Sequence, residues 1–202
     1  MVQRLTRVER KERTRAELVE AARAVFLRRG FHPASLDEIA DEAGYTKGAV
    51  YSNFASKDEL FLAVLEKHFE ERVEAYGEFV FDTSDPEEAY RAVARFWWEA
   101  NQREPELPRL LAEFTVHASR DEGLRVALHE IRERGIDGIV GVIERLAARH
   151  GIEFVLPTRD LARGSGALNR GLALEQLLDP GLPRALFEEL HVAYMKGLTK
   201  RQ

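Results

Sequence analysis

Gly44-Tyr45-Thr46-Lys47-Gly48-Ala49-Val50-Tyr51-Ser52-Asn53-Phe54-Ala55-Ser56-Lys57-Asp58 packs a sharp turn, a short helix and the start of a second helix into fifteen residues. Immediately upstream, Ser35 followed by Leu36, Ile39, Ala40 and Ala43 reads as a short amphipathic helix with an N-cap. Gly44 can adopt the positive φ that ends such a helix, and Thr46 is placed to cap the next. Two short helices across a tight Gly turn are the helix-turn-helix pattern, whose second helix lies in the DNA major groove while the first crosses the backbone.

Working outward, Phe26, Gly30-Phe31, Ser35-Leu36-Asp37-Glu38-Ile39-Ala40, Ala43-Gly44-Tyr45-Thr46-Lys47-Gly48, Val50-Tyr51, Phe54 and Lys57-Asp58-Glu59-Leu60 stand in a fixed order. In that order they resemble the N-terminal domain of TetR-type transcriptional repressors, over roughly the first third of the chain. The resemblance implies an all-α fold, a three-helix head on a larger helical body of about nine helices in total, and a homodimer formed through the last two long helices. It also implies a phosphate contact for Lys57, beside the Ser56 cap. Asn53 departs from the pattern, which often has His or Tyr before the closing Phe, although Asn can still reach a phosphate.

The formal net charge of −5 is unevenly spread. Residues 1–29 carry nine Arg or Lys, Arg4 among them, against four Glu, residues 30–60 are net −4, and the remainder is net −6. A basic arm on an acidic body suits local phosphate binding with the body held away from DNA. The same charges also suit a solvated helix face.

The residue types on the reading helix fit groove contact. Thr46 offers a hydroxyl and nearby backbone N–H groups to a phosphate, where the helix dipole favours an anion. Lys47 can donate to guanine O6 or N7 or to a phosphate. Tyr51 can give its hydroxyl to phosphate and its ring to a thymine methyl, or instead serve as a half-buried core aromatic. Gly48 allows close approach of the backbone. The expected DNA-binding set is thus Ser35, Thr46, Lys47, Gly48, Tyr51, Asn53 and Lys57. Phe31, Leu36, Ile39, Val50 and Phe54 are expected to close the core of a head over residues 1–56, supported by a helix from about Val8 to Arg29 carrying Leu18, Ala21, Ala22, Val25 and Phe26.

Residues 57–202 read as a helical ligand-binding and dimerisation domain. A lever helix from Asp58 to about Phe81 has Leu60, Phe61, Val64, Leu65, Phe69, Val73 and Tyr76 on its inner side, and Asp82-Thr83-Ser84-Asp85-Pro86 breaks it. The next helix carries the adjacent Trp97 and Trp98, which diverge by about 100° and cannot both face inward. Together with Asn101, Phe114 and His117 they form the expected ligand site for a small, mainly apolar effector such as an acyl-CoA, a fatty acid or an aromatic acid. From Leu124 to Arg149 a long helix is interrupted by Gly135, Gly138 and Gly141 on one side, a row that points to close helix packing or to a cavity. On the last two helices, to about Leu178 and from Pro183 to Lys200, Leu161, Ser165, Leu168 and Leu172 with Leu186, Leu190 and Tyr194 are the expected dimer interface.

Composition narrows the alternatives. With no Cys, disulfides and thiolate metal sites are excluded. The apolar runs are short of a membrane span, and the Arg- and Glu-rich start is not expected to be a secretory signal, so the expected location is the cytoplasm. No metal site and no cofactor is expected. The six His are scattered, without the His-Glu-x-x-His spacing of a zinc hydrolase, although Glu113 and His117 at i and i+4 can share a metal. Gly164-Ser165-Gly166 lies in a helical pattern and lacks the strand a nucleophile loop requires. The expected function is a ligand-responsive repressor, not an enzyme, that binds a palindromic double-stranded operator. A helical enzyme and a constitutive DNA-bound scaffold are the alternatives.

Overall fold

The computed structural model describes residues 6–80 and 85–200, excepting the side chains of residues 76–80. Arg4, the side chain of Tyr76, Phe81 and the Asp82-Thr83-Ser84 part of the break lie outside the described residues. The described chain is all-α, with nine helices: α1 Arg7–Arg29, α2 Leu36–Ala43, α3 Lys47–Asn53, α4 Lys57–Val80, α5 Pro86–Arg103, α6 Leu107–Ala118, α7 Glu122–His150, α8 Thr158–Leu178 and α9 Arg184–Gly197.

Packing divides the chain into two compact units. The first combines residues up to His68 with Leu110–Ile131, and the second combines Phe69–Arg109 with the chain from Arg132 onward. Local signals set the helix ends in the first unit. The Thr6 hydroxyl accepts from Glu9 N–H at 3.2 Å, Glu9 answers the Thr6 N–H at 2.6 Å, and the Gly30 N–H donates to Phe26 O at 2.8 Å. Inside, Leu18, Ala22, Val25, Phe26, Ile39, Val50 and Phe54 are buried as expected, with Leu36 half-buried. The centre of this core is an aromatic knot. Phe61 packs 4.9 Å from Phe26, 5.1 Å from Phe31 and 4.3 Å from Phe114, and Phe31 meets Phe114 at 4.9 Å. Each such edge or tilted pair adds about 0.5–1.5 kcal/mol to the area it buries.

In the second unit, Asp85 caps α5 by accepting from Glu87 N–H at 3.0 Å, with Pro86 in the first turn. Ala89, Tyr90 and Val93 of α5 pack with Val142 and Leu146 of α7 and with Val192 and Met195 of α9. The glycine row resolves into close packing at two positions. A Cβ at Gly138 would collide with Val73 of α4, and one at Gly135 would sit 3.5 Å from Phe69. The last helix stops at Gly197, short of the expected Lys200, because the loop after α7 claims the backbone there: Val155 N–H donates to Leu198 O and Lys200 N–H to Glu153 O, each at 2.8 Å.

Candidate nucleic-acid interface

The head is assembled from capped pieces. The Ser35 hydroxyl accepts from Glu38 N–H and Glu38 answers the Ser35 N–H, both at 3.2 Å, a closed capping box. Ser35 is thereby occupied in starting α2. Gly44, at φ 69°, is left-handed and lets Tyr45 N–H reach back to Ala40 O at 2.9 Å. Thr46 then caps α3, its hydroxyl oxygen accepting from Ala49 N–H at 3.3 Å while its own proton stays available to donate. Val50 and Phe54 turn inward at 0% and 1% exposure, which leaves Thr46, Lys47, Gly48, Tyr51 and Ser52 on the open side. Tyr51 is 59% exposed, so of its two readings the structure supports the outward one.

The charges around this face are already engaged. Lys47 is ion-paired with Asp37 of α2, and that bond raises its pKa. Tyr45 donates to Glu17 of α1, a bond that holds the carboxyl below its ordinary range. Arg28 and Arg29 pair with Glu42 and Glu38, at 2.8 and 3.3 Å. Arg7 and Lys11 of α1 remain exposed and, with Val8, Glu12 and Ser52, line a shallow depression beside α3.

Three expected contacts have other local roles. Asn53 turns back on its own helix, its Nδ2 donating to Ala49 O at 2.8 Å, while its carbonyl accepts from Arg15 at 2.9 Å. Arg15 in turn lies 4.1 Å from the Phe54 ring centroid. Lys57 does not project as a free phosphate donor. Its ammonium donates to Phe31 O, His32 O and Ala34 O at 2.9, 3.0 and 3.0 Å, using all three N–H groups, and it sits 4.7 Å from the Phe31 ring centroid. Burial pushes its pKa down and Asp58 opposes that shift.

The five residues expected to line a ligand site fall in different units. Phe114 is fully buried in the aromatic knot, filling the space beside Phe31, and His117 donates from Nε2 to Asp58 at 2.8 Å. Glu113 accepts from Phe31 N–H at 3.2 Å, so Glu113 and His117 have separate partners. Trp97, Trp98 and Asn101 belong to the second unit. There Trp98 packs edge-on against Phe187 at 5.7 Å, and Asn101 donates to Asn169 at 3.4 Å. The stripe assigned to a dimer also splits. Leu161, Ser165 and Leu172 are buried within this chain and Leu168 and Tyr194 are half-buried, whereas Leu186 and Leu190 are 41% and 37% exposed. The missed groups, Glu113 and the carbonyl partners of Lys57, had no signal in local spacing, because each bond joins residues distant in the chain.

A capped helix-turn-helix with a polar, exposed second helix, carried on a helical chain, defines the class of DNA-binding regulatory proteins. Residues 18–64 match the family model described as bacterial regulatory proteins, tetR family, so the head of the chain is similar to the DNA-binding domain of that family. It is 38% identical over 107 residues to the HTH-type transcriptional activator FasR of Mycolicibacterium smegmatis, covering 53% of this chain and 48% of FasR. With the HTH-type transcriptional repressor NicS of Pseudomonas putida it shares 32% over 123 residues, 59% of this chain and 58% of NicS. The chain thus spans about half the length of these relatives. Its fold matches the transcriptional regulator FadR of Bacillus subtilis, solved in complex with stearoyl-CoA, with a TM-score of 0.72 at 16% identity over 91% of this chain and 98% of FadR. All three are described as transcriptional regulators, not enzymes.

Proposed function

We propose that this chain is a ligand-responsive transcriptional regulator that binds a palindromic operator as a homodimer and is released by a small, mainly apolar effector. The observation that carries the DNA-reading half is the outward face of α3. Thr46, Lys47, Gly48 and Tyr51 are presented together on a helix anchored by the buried Val50 and Phe54. Thr46 and Tyr51 donate to phosphates, Lys47 exchanges Asp37 for a base edge or phosphate, and Ser35, Asn53 and Lys57 act by holding the helices that carry them.

The dimer surface is proposed on the apolar residues that α8 and α9 leave exposed. Leu174, Leu177, Leu186 and Leu190 lie between 37% and 41% exposed, and Leu178 is 83% exposed. The functional division proposed is a DNA-binding head at residues 1–56 and a ligand-binding and dimerisation body at 57–202. An acyl-CoA, fatty acid or aromatic acid is the effector class proposed, and the stearoyl-CoA bound to FadR supports including the first. One relative is an activator and another a repressor; repression is the reading proposed here. Among the described residues no helix is long and apolar enough to cross a membrane, which fits action in the cytoplasm.

Selection of bound sequences from random duplex DNA tests the proposal. Recovery of a palindrome with half-sites about one helical turn, 34–36 Å, or a multiple apart is the expected result. Sequences enriched no more than random DNA would defeat it. Operator release is then measured with acyl-CoA thioesters, free fatty acids and aromatic acids; binding that none of them weakens would favour a constitutive scaffold.

A further inference from the structure

The cations of the head divide by whether they already have a partner. Arg13 pairs with Glu17, Arg28 with Glu42, Arg29 with Glu38 and Lys47 with Asp37. Arg15 and Lys57 are bound to backbone carbonyls, Arg10 donates through Nε to Thr6 O at 3.3 Å, and Arg23 is engaged as well. Arg7 and Lys11 are the two whose side chains make no hydrogen bond, ion pair or ring contact among the described residues.

These two stand together, and a third cation fixes where they stand. Arg7, Lys11 and Arg15 are spaced by four and so share one face of α1. Arg15 holds that face against the last turn of α3, its Nη1 donating to Asn53 O at 2.9 Å and its guanidinium lying 4.1 Å from the Phe54 ring centroid. One and two turns back along α1, Lys11 and Arg7 line the depression with Val8, Glu12 and Ser52 of α3, all five exposed. Ser52 turns its hydroxyl back to Ala49 O at 2.9 Å, so it is a wall of the depression and the two cations are its donors. The start of α1 is closed by the Thr6–Glu9 capping box, which leaves the charge of this patch to its side chains.

Dimensions decide what passes the depression when α3 enters DNA. A helix with its side chains is about 10–12 Å across and the major groove about 12 Å wide, so α3 fills the groove from wall to wall. Whatever flanks α3 therefore meets sugar and phosphate, and the free cations of α1 lie at that flank.

We propose that Arg7 and Lys11 seat the backbone phosphates that border the groove entered by α3. This rests on the DNA-reading half of the proposed function and adds the residues that supply its salt-dependent affinity. Touching no base edge, they hold operator and random duplex alike. Glu12, the one acid lining the depression, opposes them.

The full chain is titrated onto fluorescein-labelled duplexes, one of random sequence and one the selected operator, and anisotropy is read from about 50 to 200 mM salt. Arg7→Gln/Lys11→Gln is expected to flatten the slope of log affinity against log salt by roughly 1.8 per bound head, about 0.9 for each phosphate released, with the ratio of operator to random affinity unchanged. Each single replacement should account for about half of that. Arg13→Gln/Arg28→Gln removes the same charge from partnered positions and is expected to move the slope by less than about 0.5. Glu12→Gln should tighten both duplexes roughly two- to fivefold at the low-salt end, a gain that loss of a structural contact does not produce. Circular dichroism accompanies each variant. A wild-type slope in Arg7→Gln/Lys11→Gln, or equal losses in the two double variants, overturns the seat and leaves the reading helix intact. A wild type that binds no duplex at any of these salts overturns the DNA-reading half itself. Unmoved DNA binding, with loss of binding to phosphatidylserine vesicles in the same variant, overturns the seat and assigns the two cations to a lipid surface.

Discussion

Replacing Lys57 by Met keeps the aliphatic stem and removes the ammonium from Phe31 O, His32 O and Ala34 O. The His32 bond is exposed and its carbonyl can return to water at little cost, whereas the bonds to Phe31 and Ala34 are part-buried. A hydrogen bond to a charged group contributes about 1.5–3 kcal/mol, and taking the lower end for the two part-buried ones gives about 3 kcal/mol. For a chain of this size 1 kcal/mol moves the melting midpoint by about 2–4 °C, so the expected fall is about 6–12 °C. Far-ultraviolet circular dichroism is the assay, since both tryptophans lie in the other unit and would miss the event. Below the transition, operator affinity should stay within about threefold and its salt slope should not change, because a carbonyl clamp releases no counterions from DNA. The reasoning is refuted by an unchanged melting midpoint together with a salt slope shallower by about one, the signature of a lost phosphate contact.

Three further outcomes are expected. Gly138→Ala should destabilise by about 1–3 kcal/mol through its collision with Val73, and Val73→Ala should recover most of it in a double-mutant cycle; Gly141→Ala, which meets only the movable end of Arg145 at 3.4 Å, should be neutral or stabilise by up to about 1 kcal/mol. Lys47→Ala should leave urea stability unchanged, since its partner Asp37 is exposed, but flatten the sequence preference measured against single-base operator variants. His191 is fully buried, donates from Nδ1 to Phe187 O at 2.9 Å, and burial holds its pKa below the ordinary 6.5. The unfolded chain therefore binds the proton first, and stability should decline as pH falls below about 6.5, by at most about 1.4 kcal/mol per unit from this one group. A His191→Phe variant should show a shallower acid decline in urea titrations, and an unchanged decline would clear His191 of the effect.

What could be read from the chain alone follows the range of the interactions. The capping box of Ser35 and Glu38, the left-handed Gly44, the Thr46 cap and the Asp85-Pro86 start are each decided within four residues, so residue type and spacing suffice. The inward placement of Val50 and Phe54, and with it the outward side of α3, follows from helical period. The aromatic content of Phe114 could be seen, but not its destination. It fills a site created by Phe31, and no periodic pattern connects the two. Lys57 shows the same limit: a cation beside a helix start suits a phosphate, and only the folded turn of Phe31, His32 and Ala34 brings three carbonyls to it. On α8, an apolar stripe has the same appearance whether it meets its own chain or a second copy; Leu161 and Leu172 took the first course, and Leu174 and Leu178 stay outside.

The bond from Phe31 to Glu113, spanning 82 positions, also sets an order of events during synthesis. At about 5–20 residues per second, the ribosome needs roughly 4 to 16 s to pass from one to the other. Once Phe61 has been added, and for the rest of that interval, the helix-turn-helix has been made while Phe114, the wall of its aromatic knot, has not. The nascent head waits with Phe31 and Phe61 uncovered, so a pause or truncation between these points leaves an adhesive intermediate that holds the reading helix without the core to steady it.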